Sequence, residues 1–122
     1  IAQRAVITAL KECPSKITYM VDEFKVRRDL ILNLLNNIEG FNCNTPDGAF
    51  YVFPDISHFF GKVIDGYKIN NASDMSLFLL ERALVATVTG DAFGDPNCIR
   101  ISYAASQDQL IEAVGRIKKL VS

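Results

Sequence analysis

Between Pro14 and Glu39, apolar side chains return every three or four residues, at Ile17, Met20, Val21, Phe24, Ile31, Leu34, Leu35 and Ile38. That spacing marks one face of an α-helix. Pro14 suits a first turn, where its missing N–H does no harm. Gly40 is placed to end the helix in the left-handed conformation. About 26 residues at 1.5 Å each give a rod roughly 39 Å long. A compact chain of 122 residues is only about 30–35 Å across. A helix of that length overhangs its own domain or leans on something beyond it. Its stripe is interrupted at Lys25–Asp29, where the face turns polar.

Around this helix the chain reads as short strands and further helices. Ile1–Glu12 is helical, Ala-containing and without a preceding cap residue, which reads as the cut end of a longer protein. Phe41–Thr45 is a short strand or extended segment. The turn Thr45-Pro46-Asp47-Gly48 leads into a strand over Ala49–Phe53, stopped by Pro54. One helical turn is expected around Ser57–Phe60 inside a loop that runs to Gly66, and Tyr67–Ala72 reads as connection. Ser73 is expected to cap a helix running to Leu84 and burying Leu77, Leu80 and Leu84. Strands follow over Val85–Thr89 and Cys98–Ala104. Ser106-Gln107-Asp108-Gln109 has the form of a capping box. The helix after it buries Leu110, Ile111, Val114, Ile117, Leu120 and Val121, with Lys118 and Lys119 at its negative end. The predicted fold class is α+β: a small antiparallel or mixed sheet of three to four strands, helices on one face, and the long helix in front.

The 13 basic and 14 acidic residues give a net charge of −1 and no basic patch, so nucleic-acid binding has no support. No apolar run is long enough for a membrane-spanning helix. The cysteines, Cys13, Cys43 and Cys98, are widely spaced and the single histidine is His58. This pattern suggests reduced thiols in packed positions, with neither a metal site nor a disulfide framework.

The stretch Val88–Ala104, VTGDAFGDPNCIRISYA, carries the main functional candidate. On a strand, Ile99, Ile101 and Tyr103 share one face and Arg100, Ser102 and Ala104 the other. Arg100 thus sits among small neighbours beside a glycine-bounded loop, and a guanidinium fork fits a carboxylate bidentately. The plainer reading of the strand alone is an arginine paired with Asp or Glu, or simply solvated. Gly90 and Gly94 bound a mobile substrate loop or are ordinary turn glycines. Tyr51 and Phe50 edge a site or belong to the core, and for Phe50 the core is the expected place. His58 lacks an orienting neighbour. Lys62 and Lys68 lack a context for imine chemistry. No nucleophile elbow, phosphate-binding loop or dinucleotide fingerprint is present.

Four blocks, in order, resemble the C-terminal part of the pyridoxal-phosphate-dependent class I/II (fold type I) aminotransferases, bacterial-type aspartate aminotransferases above all. They are IAQRAVITAL at 1–10, the segment 24–57 with its RRD and P-x-GAFY, LLERALVATVTGDAFG at 79–94, and IRISYAAS at 99–106 followed by L-x-EA-x-x-RI from Leu110 to Ile117. Thr89 stands where many relatives carry proline. The resemblance covers essentially the whole chain. It implies a remnant helix at 1–12 and an aminotransferase small domain at 13–122, with the long helix lying along a large cofactor-binding domain.

The implied activity is amino-group transfer between an amino acid, aspartate by overall similarity, and a 2-oxo acid such as 2-oxoglutarate. The implied cofactor is pyridoxal 5'-phosphate, held mainly upstream, where the family's Schiff-base lysine lies. Arg100 matches the arginine that binds the substrate α-carboxylate. The chain alone contributes no catalytic, cofactor or metal residue and is expected to be inactive. The whole enzyme is expected to be a cytoplasmic homodimer of amino-acid metabolism, with no nucleic-acid or membrane partner. Two other readings stay open at this point: a non-enzymatic α+β binding module, and an aminotransferase-like regulator whose fold senses an effector.

Overall fold

A computed structural model describes residues 1–12 and 17–122. The expected helix start at Pro14 and the thiol of Cys13 lie outside these residues. Helix α1 spans Ala2–Lys11 and buries none of its side chains. Helix α2 spans Thr18–Asn36, so it stops short of Glu39. Asn37 accounts for the early end: its side-chain amide donates to the Asn33 carbonyl at 2.9 Å, and the Ile38 N–H donates to Leu35 O at 2.9 Å. Short polar side chains compete in this way with the helical ladder. Gly40 does take a left-handed φ of 94°, but in the turn beyond the helix.

Only the C-terminal half of α2 enters the core, through Ile31, Leu32 and Leu35. Ile17, Met20, Val21 and Val26 are exposed, in line with a helix that overhangs its own domain. No helix among the described residues is long and apolar enough to cross a membrane.

The sheet has three strands, β1 (Tyr51–Val52), β4 (Val88–Thr89) and β5 (Ile99–Ser102), in the order β1-β5-β4. Both pairings are antiparallel, with Tyr51 opposite Ser102, Val52 opposite Ile101, Val88 opposite Arg100 and Thr89 opposite Ile99. These ladders are shorter than the sequence suggested. Phe41–Thr45 contributes only a bridge from Asn42 to Asp55, which in turn bridges to Cys98. Before β1, Ala49 has a φ of 66° and interrupts the extended run.

A separate hairpin, β2 (Val63–Ile64) and β3 (Tyr67–Lys68), occupies what read as loop and connection. Its turn residues Asp65 and Gly66 both have positive φ, as the two-residue turn that matches strand twist requires. The expected helical turn is present as a 3-10 turn over Ser57–Phe59.

Helix α3 (Ala72–Phe78) continues into one π turn over Leu79–Ala83. Its cap is Asn71, not Ser73: Asn71 Oδ1 accepts the Asp74 N–H at 2.9 Å. The buried face is Ala72, Met75, Phe78, Leu79 and Ala83, while Leu77, Leu80 and Leu84 are exposed. The segment carries two apolar stripes. On the buried stripe Phe78 packs its ring 5.3 Å from that of Tyr67, a contact supplied by the β2–β3 hairpin.

Helix α4 (Gln107–Val121) begins with the expected reciprocal box between Ser106 and Gln109. It buries Leu110, Val114 and Ile117 and leaves Ile111 about half exposed. Helices α2 and α4 pack together, with α2 also against β1. The core lies between them and the Val52, Ile99, Ile101 and Tyr103 face of the sheet.

Candidate functional site

On the central strand β5 the burial alternates as its pattern requires. Ile99, Ile101 and Tyr103 are buried, Arg100 is half-buried, and Ser102 and Ala104 are exposed. The sheet register, continued by the Asp55–Cys98 bridge, sets Phe53 beside Arg100 on the outer face. Tyr51, next but one along β1, shares that face.

Arg100 has no carboxylate partner among the described residues. Its neighbours are aromatic: the guanidinium carbon lies 4.5 Å from the centre of the Phe93 ring and 5.4 Å from that of Tyr51. Both distances fall within the reach of cation–π attraction. Phe93 also meets Phe53, with centroids 6.3 Å apart. The nearby acids in sequence are engaged elsewhere. Asp91 accepts the Thr89 hydroxyl at 2.8 Å, and Asp95 accepts the Asn97 N–H at 2.9 Å.

The loop that presents Phe93 is a closed 3-10 turn, Gly90–Phe93. Gly90 donates to Cys98 O at 2.8 Å, and Asp95 donates to Gly90 O at 3.2 Å. A Cβ on Gly90 would overlap the carbonyl oxygens of both Asp95 and Cys98, so only glycine permits this approach. Gly94 ends the turn at a φ of 89°. Both glycines are therefore structural requirements of the turn.

The other candidates fall elsewhere. Phe50 was expected in the core, yet it is 54% exposed: left-handed Ala49 breaks the strand alternation just before it. Its ring meets Tyr51 edge-on at 6.1 Å. His58 sits in the 3-10 turn against Phe59 and within hydrogen-bond reach of Lys62. The described lysines, Lys11, Lys25, Lys62, Lys68, Lys118 and Lys119, are all exposed. None lies in the desolvated pocket that makes a lysine amine a ready nucleophile, so none fits covalent attachment of pyridoxal phosphate. No group of three or more His, Cys, Asp and Glu among the described residues is placed to hold a metal ion. A groove of about 450 Å³ runs between α2 and the 46–49 turn, lined by Met20, Phe24, Arg28, Pro46 and Tyr103. Arg100 is not part of it.

Phe93 and Phe53 join the site beyond the residues expected from the sequence. The first sits in the glycine-bounded loop, which was the available signal. The second depends on cross-strand register.

The α+β fold, with Arg100 on its central strand, fits a known class. The family described as Aminotransferase class I and II matches residues 1–117, and the chain belongs to it. Among individual relatives, it is 46% identical over 98% of its length to a bifunctional aspartate aminotransferase and glutamate/aspartate-prephenate aminotransferase of Petunia hybrida. Among solved structures, it superposes on the aspartate aminotransferase of Rhizobium meliloti with a TM-score of 0.91 at 41% identity, covering 98% of this chain. An alanine aminotransferase from Pyrococcus furiosus gives 0.85 at 30% identity, again over 98%. The chain spans 26% of the Petunia protein and 30% and 29% of the two structures.

Proposed function

We propose that this chain is the substrate-carboxylate-binding portion of a pyridoxal-phosphate-dependent transaminase. The enzyme would move an amino group between an amino acid and a 2-oxo acid, and Arg100 would receive the α-carboxylate. The single observation that carries this reading is the state of Arg100: a half-buried guanidinium, held by aromatic rings and unpaired with any described carboxylate. Such a group offers two parallel N–H donors to a planar anion. Binding there fixes the orientation of the substrate Cα–H bond, which is the step that positioning accelerates.

Pyridoxal phosphate supplies the electron sink for chemistry at Cα. The described lysines do not fit its attachment, so its site is assigned to the part of the enzyme that the relatives possess beyond this span. Residues 1–12 would belong with that part, and 13–122 would form the smaller domain. The bare α1, with Val6, Ile7 and Leu10 exposed, supports the division.

Arg100 would read a group common to all amino acids. Preference for aspartate therefore rests on the names of the relatives, among them the Petunia and Rhizobium proteins. The reading includes a homodimer, as the family resemblance implies. It also includes a cytoplasmic location, supported by the free thiols of Cys43 and Cys98.

The test is Arg100→Ala in the full-length enzyme. Removing one partner of a hydrogen-bonded charge pair costs about 2–5 kcal/mol, so kcat/KM should fall roughly 30- to 4,000-fold. An unchanged kcat/KM would remove Arg100 from the site.

A further inference from the structure

We propose that Phe93, with Tyr51, is a positioning residue that presents Arg100 to the substrate carboxylate. The inference rests on the carboxylate role of Arg100. The guanidinium carbon is 4.5 Å from the Phe93 centroid and 5.4 Å from that of Tyr51. The two centroids are 6.5 Å apart. Those three lengths place the rings at nearly a right angle about the guanidinium carbon. Arg100 thus stands in a corner, attracted from two sides.

A ring quadrupole attracts a cation without using its N–H donors or cancelling its charge. A carboxylate neighbour would do both. The corner therefore fixes the side chain while leaving it competent to bind an anion. The loop is closed by its own backbone hydrogen bonds. Cys98, two residues before Arg100, accepts the Gly90 N–H, and the Cys98 N–H donates to Asp95 O at 3.3 Å. Phe93 is thereby tied to the strand that carries Arg100. Phe93 is 44% exposed, so its ring is not needed to fill the core.

The experiment uses the full-length enzyme carrying Phe93→Leu, Phe93→Tyr, Arg100→Ala and the Arg100→Ala/Phe93→Leu pair. The readouts are the KM for L-aspartate and the dissociation constant of α-methyl-L-aspartate, which keeps the carboxylate but has no α-proton. Phe93→Leu should weaken both roughly 3- to 30-fold, the span of cation–π attraction, with a smaller change in kcat. Phe93→Tyr should restore both. In the Arg100→Ala background, Phe93→Leu should have no further effect, because its influence passes through the guanidinium. An equal loss in both backgrounds overturns the positioning role and leaves the carboxylate reading standing. Unchanged affinity in Arg100→Ala alone overturns both.

Discussion

Gly90→Ala should open the loop that carries Phe93, and its cost follows from the contacts around one atom. The new Cβ would overlap Asp95 O and Cys98 O and lie 2.9 Å from the Cys98 carbonyl carbon. All three are backbone atoms, so no side chain can swing aside. Relief requires separating backbone segments that now share the Gly90–Cys98 and Asp95–Gly90 hydrogen bonds, at 2.8 and 3.2 Å. Losing two backbone bonds costs about 2–3 kcal/mol, and the steric strain adds about 1–3 kcal/mol. The sum is about 3–6 kcal/mol. Native-state hydrogen exchange on the full-length enzyme reads this directly, at the amides of Gly90, Asp95 and Cys98. At about 1.4 kcal/mol per tenfold, exchange there should accelerate roughly 150- to 20,000-fold. Gly48→Ala is the control, because nothing lies within 4 Å of a Cβ at that position. Equal exchange in the two variants would refute the claim that this turn is locked by close backbone approach.

Two other outcomes follow from buried groups. The Tyr103 hydroxyl donates to Ala49 O at 2.9 Å, tying the turn before β1 to the end of β5. Tyr103→Phe should lower the unfolding free energy by about 1 kcal/mol, measured by urea unfolding; an unchanged midpoint would contradict the tie. Burial pushes the Cys98 thiol up to about 12, with Asp95 adding to the effect, and burial alone takes Cys43 to about 11, from an ordinary 9.0. The folded chain therefore holds these protons more tightly. Their contribution to stability is complete below pH 9 and is lost as pH rises through the raised values. Iodoacetamide at pH 8 should modify Cys43 and Cys98 slowly in the native state, Cys98 slowest, and rapidly only on unfolding. Prompt alkylation of Cys98 in the native enzyme, seen by mass spectrometry, would contradict its burial.

What was legible in the sequence was mostly local. The Ser106–Gln109 box needs four residues and was readable as written. The alternation from Ile99 to Ala104 needs only a half-buried strand. The Asp65-Gly66 turn is equally local but weakly marked, because its flanking strands are only two residues each. The buried face of α3 was not legible. Its two leucine-bearing stripes are nearly equivalent in the sequence, and the core that buries one of them is assembled from distant segments.

The site divides in the same way. Arg100 stood out as a candidate from strand parity, but its charge alone favoured an ordinary ion pair. Family motifs around it are what point to the proposed carboxylate role. Its aromatic corner depends on a register set between β1 and β5 and on a loop closed from Gly90 to Cys98, and neither is written in any short window.

The most direct measurement is a crystal structure of the full-length enzyme with α-methyl-L-aspartate bound. The α-carboxylate should accept two N–H bonds from Arg100 at about 2.7–2.9 Å, with Phe93 and Tyr51 still against the guanidinium. An α-carboxylate held by another residue, with Arg100 turned to solvent or to a protein carboxylate, would contradict the central role given to this arginine.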